Sequence, residues 1–426
     1  MSPYQGETQT VLRTRSSRRF VIKISTMFSI AILIMAVSIF FSGADSMGTI
    51  ELGIAILAFL FCYRNCKMQR AIPILLLVGF VLLMLFFSGQ RRVTGFNAPI
   101  KHALKFVHLL FAFVVYLFYR YAASEKEKKI LMYVVFFAAA ASCLRSIYLV
   151  FTGNDYAIRY ASRYGYSGDV AGFSQIYGIP LLIVIVWSLL FNGEKKKFKE
   201  NLLLIGLLAI FLYFIYVSLM TTALIMTVIG ILLFALVKMM RKKASTAVIL
   251  LICLLLLAML ALFVFPNQIM NVVIKLTANM NYVLQNRIRY VFQDILNVSS
   301  GISYNHERRE ELASYSLNTF KEHPFFGVGY SGYGYGVIGC HQEWPDMLGV
   351  FGLVGSIIVW GVIIRMIIVT YKGLESREEK DLFLVLAAMF GILGFLNPCL
   401  GSPLLFALFV IAPNAKCLFK RGWELT

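Results

Sequence analysis

The chain has 426 residues, of which 59% are hydrophobic and 14% charged, and its mean hydropathy is +0.77. That is more apolar surface than a water-soluble domain can bury, so the composition excludes a soluble globular protein and indicates a polytopic membrane protein. The formal net charge of +19 is spread over short loops between apolar runs, which excludes the clustered basic surface of a nucleic-acid binder.

Lipid offers no partner to backbone N–H and C=O groups, so the apolar runs are predicted to be helices. Runs of about 17–25 residues cross a hydrocarbon core of about 30 Å. The sequence predicts about twelve: 20–42, 47–63, 71–89, 103–123, 129–151, 170–192, 201–219, 222–239, 245–265, 346–371, 381–397 and 400–417. The first follows Arg13, Arg15, Arg18 and Arg19 and is too long for a cleaved signal sequence, so it reads as a signal anchor. Of the 40 Lys and Arg residues, 26 fall on the side of the N-terminus and eleven on the other, while Lys105, Arg145 and Arg365 lie within spans. This bias predicts that both termini are cytoplasmic. The seven cysteines form no CxxC pair, so neither a metal site nor a disulfide framework is expected.

The predicted fold class is an all-α polytopic membrane protein with one large helical loop on the outer side. Residues 1–265 carry nine spans, 266–345 form the loop, and 346–426 carry the last three spans. Structureless loops of such length are uncommon, so the segment is expected to have a role. Val273, Leu276, Met280, Leu284, Ile288, Val291 and Ile295 predict an amphipathic helix over 271–296. A second is predicted to start after Asn305, with Leu312, Tyr315, Thr319 and Phe320 on one face, and to stop at Pro324. A glycine and tyrosine tract follows, Gly327 to Gly336. Its literal G-x-G-x-x-G lacks the preceding strand and following helix of a dinucleotide site, and that reading is excluded.

Basic residues on outer loops run against the orientation rule and call for another explanation. Arg91, Arg92, Arg159, Arg163, Arg287, Arg289, Arg308 and Arg309 are candidates for binding a diphosphate, whose oxygens match the guanidinium fork. The alternative is contact with lipid phosphates at the interface. Arg145, inside the fifth span, faces either a cavity or a structural partner such as Asp155. His341 is a candidate general base at the mouth of the tenth span, with Glu343 and Asp346 following it to orient the imidazole or act in its place. Its alternative is a capping or hydrogen-bonding role. Tyr330 and Tyr333 are candidates for stacking on sugars, or for interfacial anchoring. His102 and His108 read as interfacial or packing residues. Ionisable groups are expected at one face and not at the bilayer midplane, and no internal repeat is evident, which argues against a transporter or flippase.

His341-Gln342, nine further residues and then Gly352-Leu-Val-Gly355 form a pattern of His, amide, spacer and G-x-x-G. Upstream, Arg309 stands fifteen residues before Pro324, which opens Pro-x-x-Gly-x-Gly at Gly327 and Gly329. These motifs, over 309–355, together with the late outer loop, resemble the bacterial O-antigen polymerase and O-antigen ligase superfamily. One departure is that many members, ligases especially, carry an arginine where the seventh and eighth spans meet, whereas this chain has Ser218-Leu-Met-Thr-Thr222. The resemblance implies an inner-membrane glycosyltransferase with a periplasmic active site, acting on undecaprenyl-diphosphate-linked oligosaccharides without metal or cofactor. His341 would be the base and Arg309, with Arg308, the diphosphate clamp. It implies a polymerase first and, given the departure, a ligase to lipid A-core as the alternative. Membrane lipids and a chain-length regulator protein are the expected partners, and nucleic acid is not.

Overall fold

The computed structural model describes residues 26–40, 98–152, 173–191, 197–218, 220–241, 266–280, 304–329 and 336–418, with scattered positions in 50–57, 77–79 and 282–292. At 98–104, 150, 173–174 and 304–310 the description is of the backbone. All regular structure among the described residues is helical. In chain order the helices are α1 (Thr26–Phe40), α2 (Ala98–Tyr121), α3 (Glu125–Phe151), α4 (Phe173–Phe191), α5 (Phe198–Val217), α6 (Thr221–Arg241), α7 (Pro266–Thr277), α8 (Tyr304–Glu322), α9 (Glu343–Gly373), α10 (Arg377–Leu396) and α11 (Ser402–Leu418).

Among the described residues, four stretches are long and apolar enough to cross a membrane: Glu125–Leu149, Phe198–Val217, Thr221–Met240 and Glu343–Gly373. Shorter apolar helices occupy Thr26–Phe40, Gln175–Phe191 and Ser402–Leu418. The predicted span 245–265, and most of 47–63 and 71–89, lie outside the described residues.

Local chemistry fixes several helix ends. Ser124 caps α3 and Ser376 caps α10, each in a reciprocal pair with the glutamate three residues on, Glu127 and Glu379. These S-x-x-E boxes satisfy N–H groups that the first helical turn leaves without a partner.

Burial then sorts the helices. Leu404 to Ile411 of α11 and Ile179 to Val186 of α4 are almost wholly buried, as are Leu109 to Tyr119 of α2. A helix that is apolar all round and buried all round lies at the centre of a bundle. At Gly178 a Cβ would sit 3.2 Å from Pro403, so the missing side chain lets α4 close on α11. The outer helix α5 buries one stripe, Leu204, Leu207, Phe211, Phe214 and Ile215, and exposes Leu202, Leu203, Ile205 and Leu212. In water such a face is an aggregation hazard, whereas in a bilayer it is the lipid contact.

Two predicted elements differ in detail. The helix expected over 271–296 ends at Thr277 with a turn through Met280. There Arg289 folds back, its Nε donating to Thr277 Oγ1 at 3.1 Å and its Nη2 to the Ile274 carbonyl at 3.2 Å. A cation on the last carbonyls stabilises that terminus and helps end the helix. The second difference is in the tenth predicted span, which breaks at Gly352 (φ 61°, ψ −168°).

Candidate active site

The site grows from the contact of α8 with the start of α9. Positions 309, 312, 316, 319 and 320 recur at helical spacing and share one stripe of α8. That stripe meets the segment 337–346. Thr319 Oγ1 donates to the Val337 carbonyl at 2.5 Å, and the Gly339 N–H donates to Ser316 Oγ at 2.9 Å. Ser316 Oγ in turn donates to Asp346 Oδ1 at 2.6 Å, and the Gln342 N–H donates to Asp346 Oδ2 at 3.2 Å. A Cβ on Gly339 would overlap the Leu312 carbonyl, so only glycine permits so close an approach. Asp346 thus ties the backbone beside His341 to the helix that carries position 309.

Cys340 turns the chain with φ 59°, a conformation costly for a residue with a Cβ, and delivers His341 to the surface. An exposed imidazole is open to a substrate, as a base must be. Two residues on, Glu343 is buried. Its carboxylate accepts from Lys105 Nζ of α2 at 3.1 Å and 3.4 Å and from the Cys399 N–H at 3.1 Å. The neighbouring Trp344 is also buried, with Nε1 donating to the Gly391 carbonyl at 2.7 Å. The polar foot of α9 is therefore pinned on three sides, by α8, by α2 and by the α10–α11 region.

The two glycine motifs meet each other. Val328 and Gly329 N–H groups donate to the carbonyls of Gly349 and Val350 at 3.1 Å and 2.8 Å. Leu353 and Val354 N–H groups return the exchange to the carbonyls of Pro324 and Phe325 at 2.8 Å and 3.1 Å. The break at Gly352 frees these α9 groups for the turn, and Ser356 Oγ bridges the break to the Met347 carbonyl at 3.0 Å. A Cβ on Gly352 would lie 2.5 Å from Gly327 N, and one on Gly327 would lie 2.6 Å from Gly352 N.

Residues 205–360 match a family model described as O-antigen ligase. That segment, a little over a third of the chain, is similar to the O-antigen ligase family. No curated protein and no solved structure matches the chain. The matched segment runs from within α5 to within α9 and includes the Pro-x-x-Gly-x-Gly turn, His341 and the Gly352 break. In this chain the Pro-x-x-Gly-x-Gly turn and the Gly352 break form a backbone-to-backbone joint.

The remaining candidates divide. Arg308 and Arg309 fall on α8, where the backbone is described, so position 309 is fixed by the helix register. Arg289 is engaged at the end of α7. Arg145 is half-buried in α3. Arg91, Arg92, Arg159, Arg163, Arg287, Tyr330 and Tyr333 lie outside the described residues, as does Asp155. At the α5–α6 turn, which holds no basic residue, Ser218 is fully buried and its Oγ donates to the Ile215 carbonyl at 2.8 Å.

Sequence reasoning passed over two residues. Lys105 pairs with Glu343, and an intramembrane lysine is itself a signal of a buried counter-ion. His108, read as interfacial or packing, is instead bound to the carboxylate of Glu51, which also accepts from Ser402 Oγ at 2.8 Å. Glu51 and His108 are both buried, His108 about one helical turn along α2 from Lys105, so a second polar cluster lies next to the Lys105–Glu343 pair. Glu51 gave little signal, being a lone acid inside an apolar run.

Proposed function

We propose that this protein is a polysaccharide polymerase of the bacterial inner membrane, acting at the periplasmic face. It transfers a growing glycan from undecaprenyl diphosphate onto the non-reducing end of another lipid-linked repeat unit. The observation that supports glycan transfer is the joint of Gly327 with Gly352 inside the family match, and the α5–α6 turn without an arginine favours a polymerase within that reading.

In the reaction the acceptor hydroxyl oxygen bonds to the anomeric carbon while the bond from that carbon to the diphosphate breaks. His341 takes the hydroxyl proton, and the electron pair leaves with undecaprenyl diphosphate. A diphosphate is already a good leaving group, so the protein's task is to position two substrates and stabilise the charge that develops. Arg309 and Arg308 meet that charge with planar donor forks, joined by Arg159 and Arg163 from the outer loop between the fifth and sixth predicted spans and by Arg145 and Arg287. Arg289 contributes through the α7 end that it holds. Glu343 and Asp346 act by position. Tyr330 and Tyr333 supply stacking faces for sugar rings. The reaction as written requires no metal, and a chain-length regulator is the expected protein partner.

The ligase reading is favoured by the description of the matched family and opposed by the α5–α6 turn, which lacks the arginine of many ligases. The surface glycan of a strain lacking the protein decides between the two. A polymerase null leaves lipid A-core capped with one repeat unit. A ligase null leaves the core uncapped and long chains held on undecaprenyl diphosphate, and that result overturns the polymerase assignment.

A further inference from the structure

At the other end of α9 from Glu343, a cavity of about 290 Å³ opens among the ends of α2, α3, α9 and α11. From the Gly352 break to Gly373 the helix runs about 31 Å at 1.5 Å per residue, roughly the thickness of the hydrocarbon core. The cavity therefore lies at the opposite membrane face from His341. Its wall includes Tyr116, Arg120, Glu125, Lys128, Glu375 and Lys416. We propose that it binds the phosphoethanolamine headgroup of a membrane phospholipid.

The argument rests on how charge is layered. The basic side chains are the sheltered ones: Lys128 is 13% exposed, Lys416 23% and Arg120 33%. Two acids stand at the rim, Glu125 57% exposed and Glu375 74%, while Glu379 is half-buried and accepts from the Glu375 and Ser376 N–H groups at the start of α10. Each base already touches an acid or hydroxyl, Arg120 to Glu375 at 2.9 Å, Lys128 to Glu125 at 2.7 Å and Lys416 to Ser376 Oγ at 2.8 Å. With three bases and three acids on its wall, counting Glu379, the cavity does not select a simple anion or a simple cation. It suits a ligand carrying both charges a few atoms apart, with the anion inward and the cation outward. A phospholipid at a membrane face presents that order, its phosphate toward the bilayer and its ammonium toward water. A primary ammonium brings three N–H donors for the rim carboxylates, which a quaternary ammonium lacks. Surface ion pairs alone would gain little from holding such long side chains around an open space.

The test uses the full chain in nanodiscs of equal phosphatidylethanolamine, phosphatidylglycerol and phosphatidylcholine, followed by mild delipidation and mass spectrometry of the lipid retained. Phosphatidylethanolamine should be retained over both others. In the Arg120→Gln/Lys416→Gln double variant its excess should fall about tenfold, in keeping with the loss of charge-assisted hydrogen bonds. Glu375→Gln, at an exposed position that tolerates change, should lower phosphatidylethanolamine and leave phosphatidylglycerol unaltered. Equal retention of the three lipids by the unmodified chain overturns the proposal, whatever the variants do. So does an undiminished phosphatidylethanolamine excess in Glu375→Gln. Release of the retained lipid by soluble phosphoethanolamine, without any lipid preference, assigns a free solute and also overturns it.

Discussion

His341 and Glu343 stand two residues apart and meet opposite environments, which separates their roles. In the proposed reaction the exposed imidazole meets the acceptor hydroxyl. The buried carboxylate holds Lys105 and a backbone N–H. His341→Ala should leave folding and membrane insertion intact and lower chain extension by about 10²–10⁴-fold, the usual cost of losing a positioned base. The check is the length distribution of surface glycan, with lipid-linked single repeats accumulating. Glu343→Gln should act on stability first, because it leaves the Lys105 cation without its counter-ion. Lys105 is 27% exposed, so the loss should fall below the about 3–5 kcal/mol typical of breaking a fully buried pair. Lys105→Met together with Glu343→Gln should recover part of that loss in a detergent melting assay. If Glu343→Gln is fully stable yet inactive while His341→Ala still extends chains, Glu343 is the base and the assignment reverses. Arg309→Lys should lose much of the activity, since a point charge does not reproduce a bidentate fork. Unchanged turnover in that variant removes Arg309 from the diphosphate site.

At the scale of elements, the joint between the Pro324–Gly329 turn and the Gly352 break decides how α8 and α9 stand together. Gly352 has φ 61° and ψ −168°, a region open almost only to glycine. Gly352→Ala should therefore cost about 1–3 kcal/mol from conformation alone. Overlap of the new methyl with the turn adds to this. Falling yield and a lower melting temperature, with residual activity tracking folded protein, is the expected outcome. A normal melt would refute the account of the joint. Much at this scale was legible beforehand. Apolar runs located α3 to α6 and α9 to α11 within a few residues, because lipid forces helices, and Pro324 marked the end of α8. What was not legible has a common cause. The break in α9 arises because another segment's carbonyls and N–H groups replace its own, and no local propensity records that exchange. The partners of Lys105 and His108 come from Glu343, 238 residues away, and Glu51, 57 residues away. Periodicity shows which face a residue occupies and is silent about what opposes it. The early end of α7 depends likewise on Arg289, which acts from beyond the helix it terminates.

For the molecule as a whole, the apolar surface of α5 and the buried polar chains of α2 describe a bundle sorted by solvent from the outside inward. The charge bias along the sequence predicts that 266–345 faces the periplasm, with both termini in the cytoplasm. A cysteine placed at Ser300 in a background without other accessible thiols should react with a membrane-impermeant maleimide in intact spheroplasts. Labelling only after the membrane is opened would invert the topology, and with it the face on which glycan transfer takes place.

The Gly327–Gly352 joint also bears on how such sequences are sorted. Its glycines answer to the closeness of two backbones, and no reacting atom dictates them. A motif of Pro-x-x-Gly-x-Gly with G-x-x-G therefore reports the joint of two backbones and is silent on the acceptor. Polymerases and ligases would be retrieved together for this reason. The residues that tell them apart should be sought among the side chains facing the second substrate, away from the signature itself.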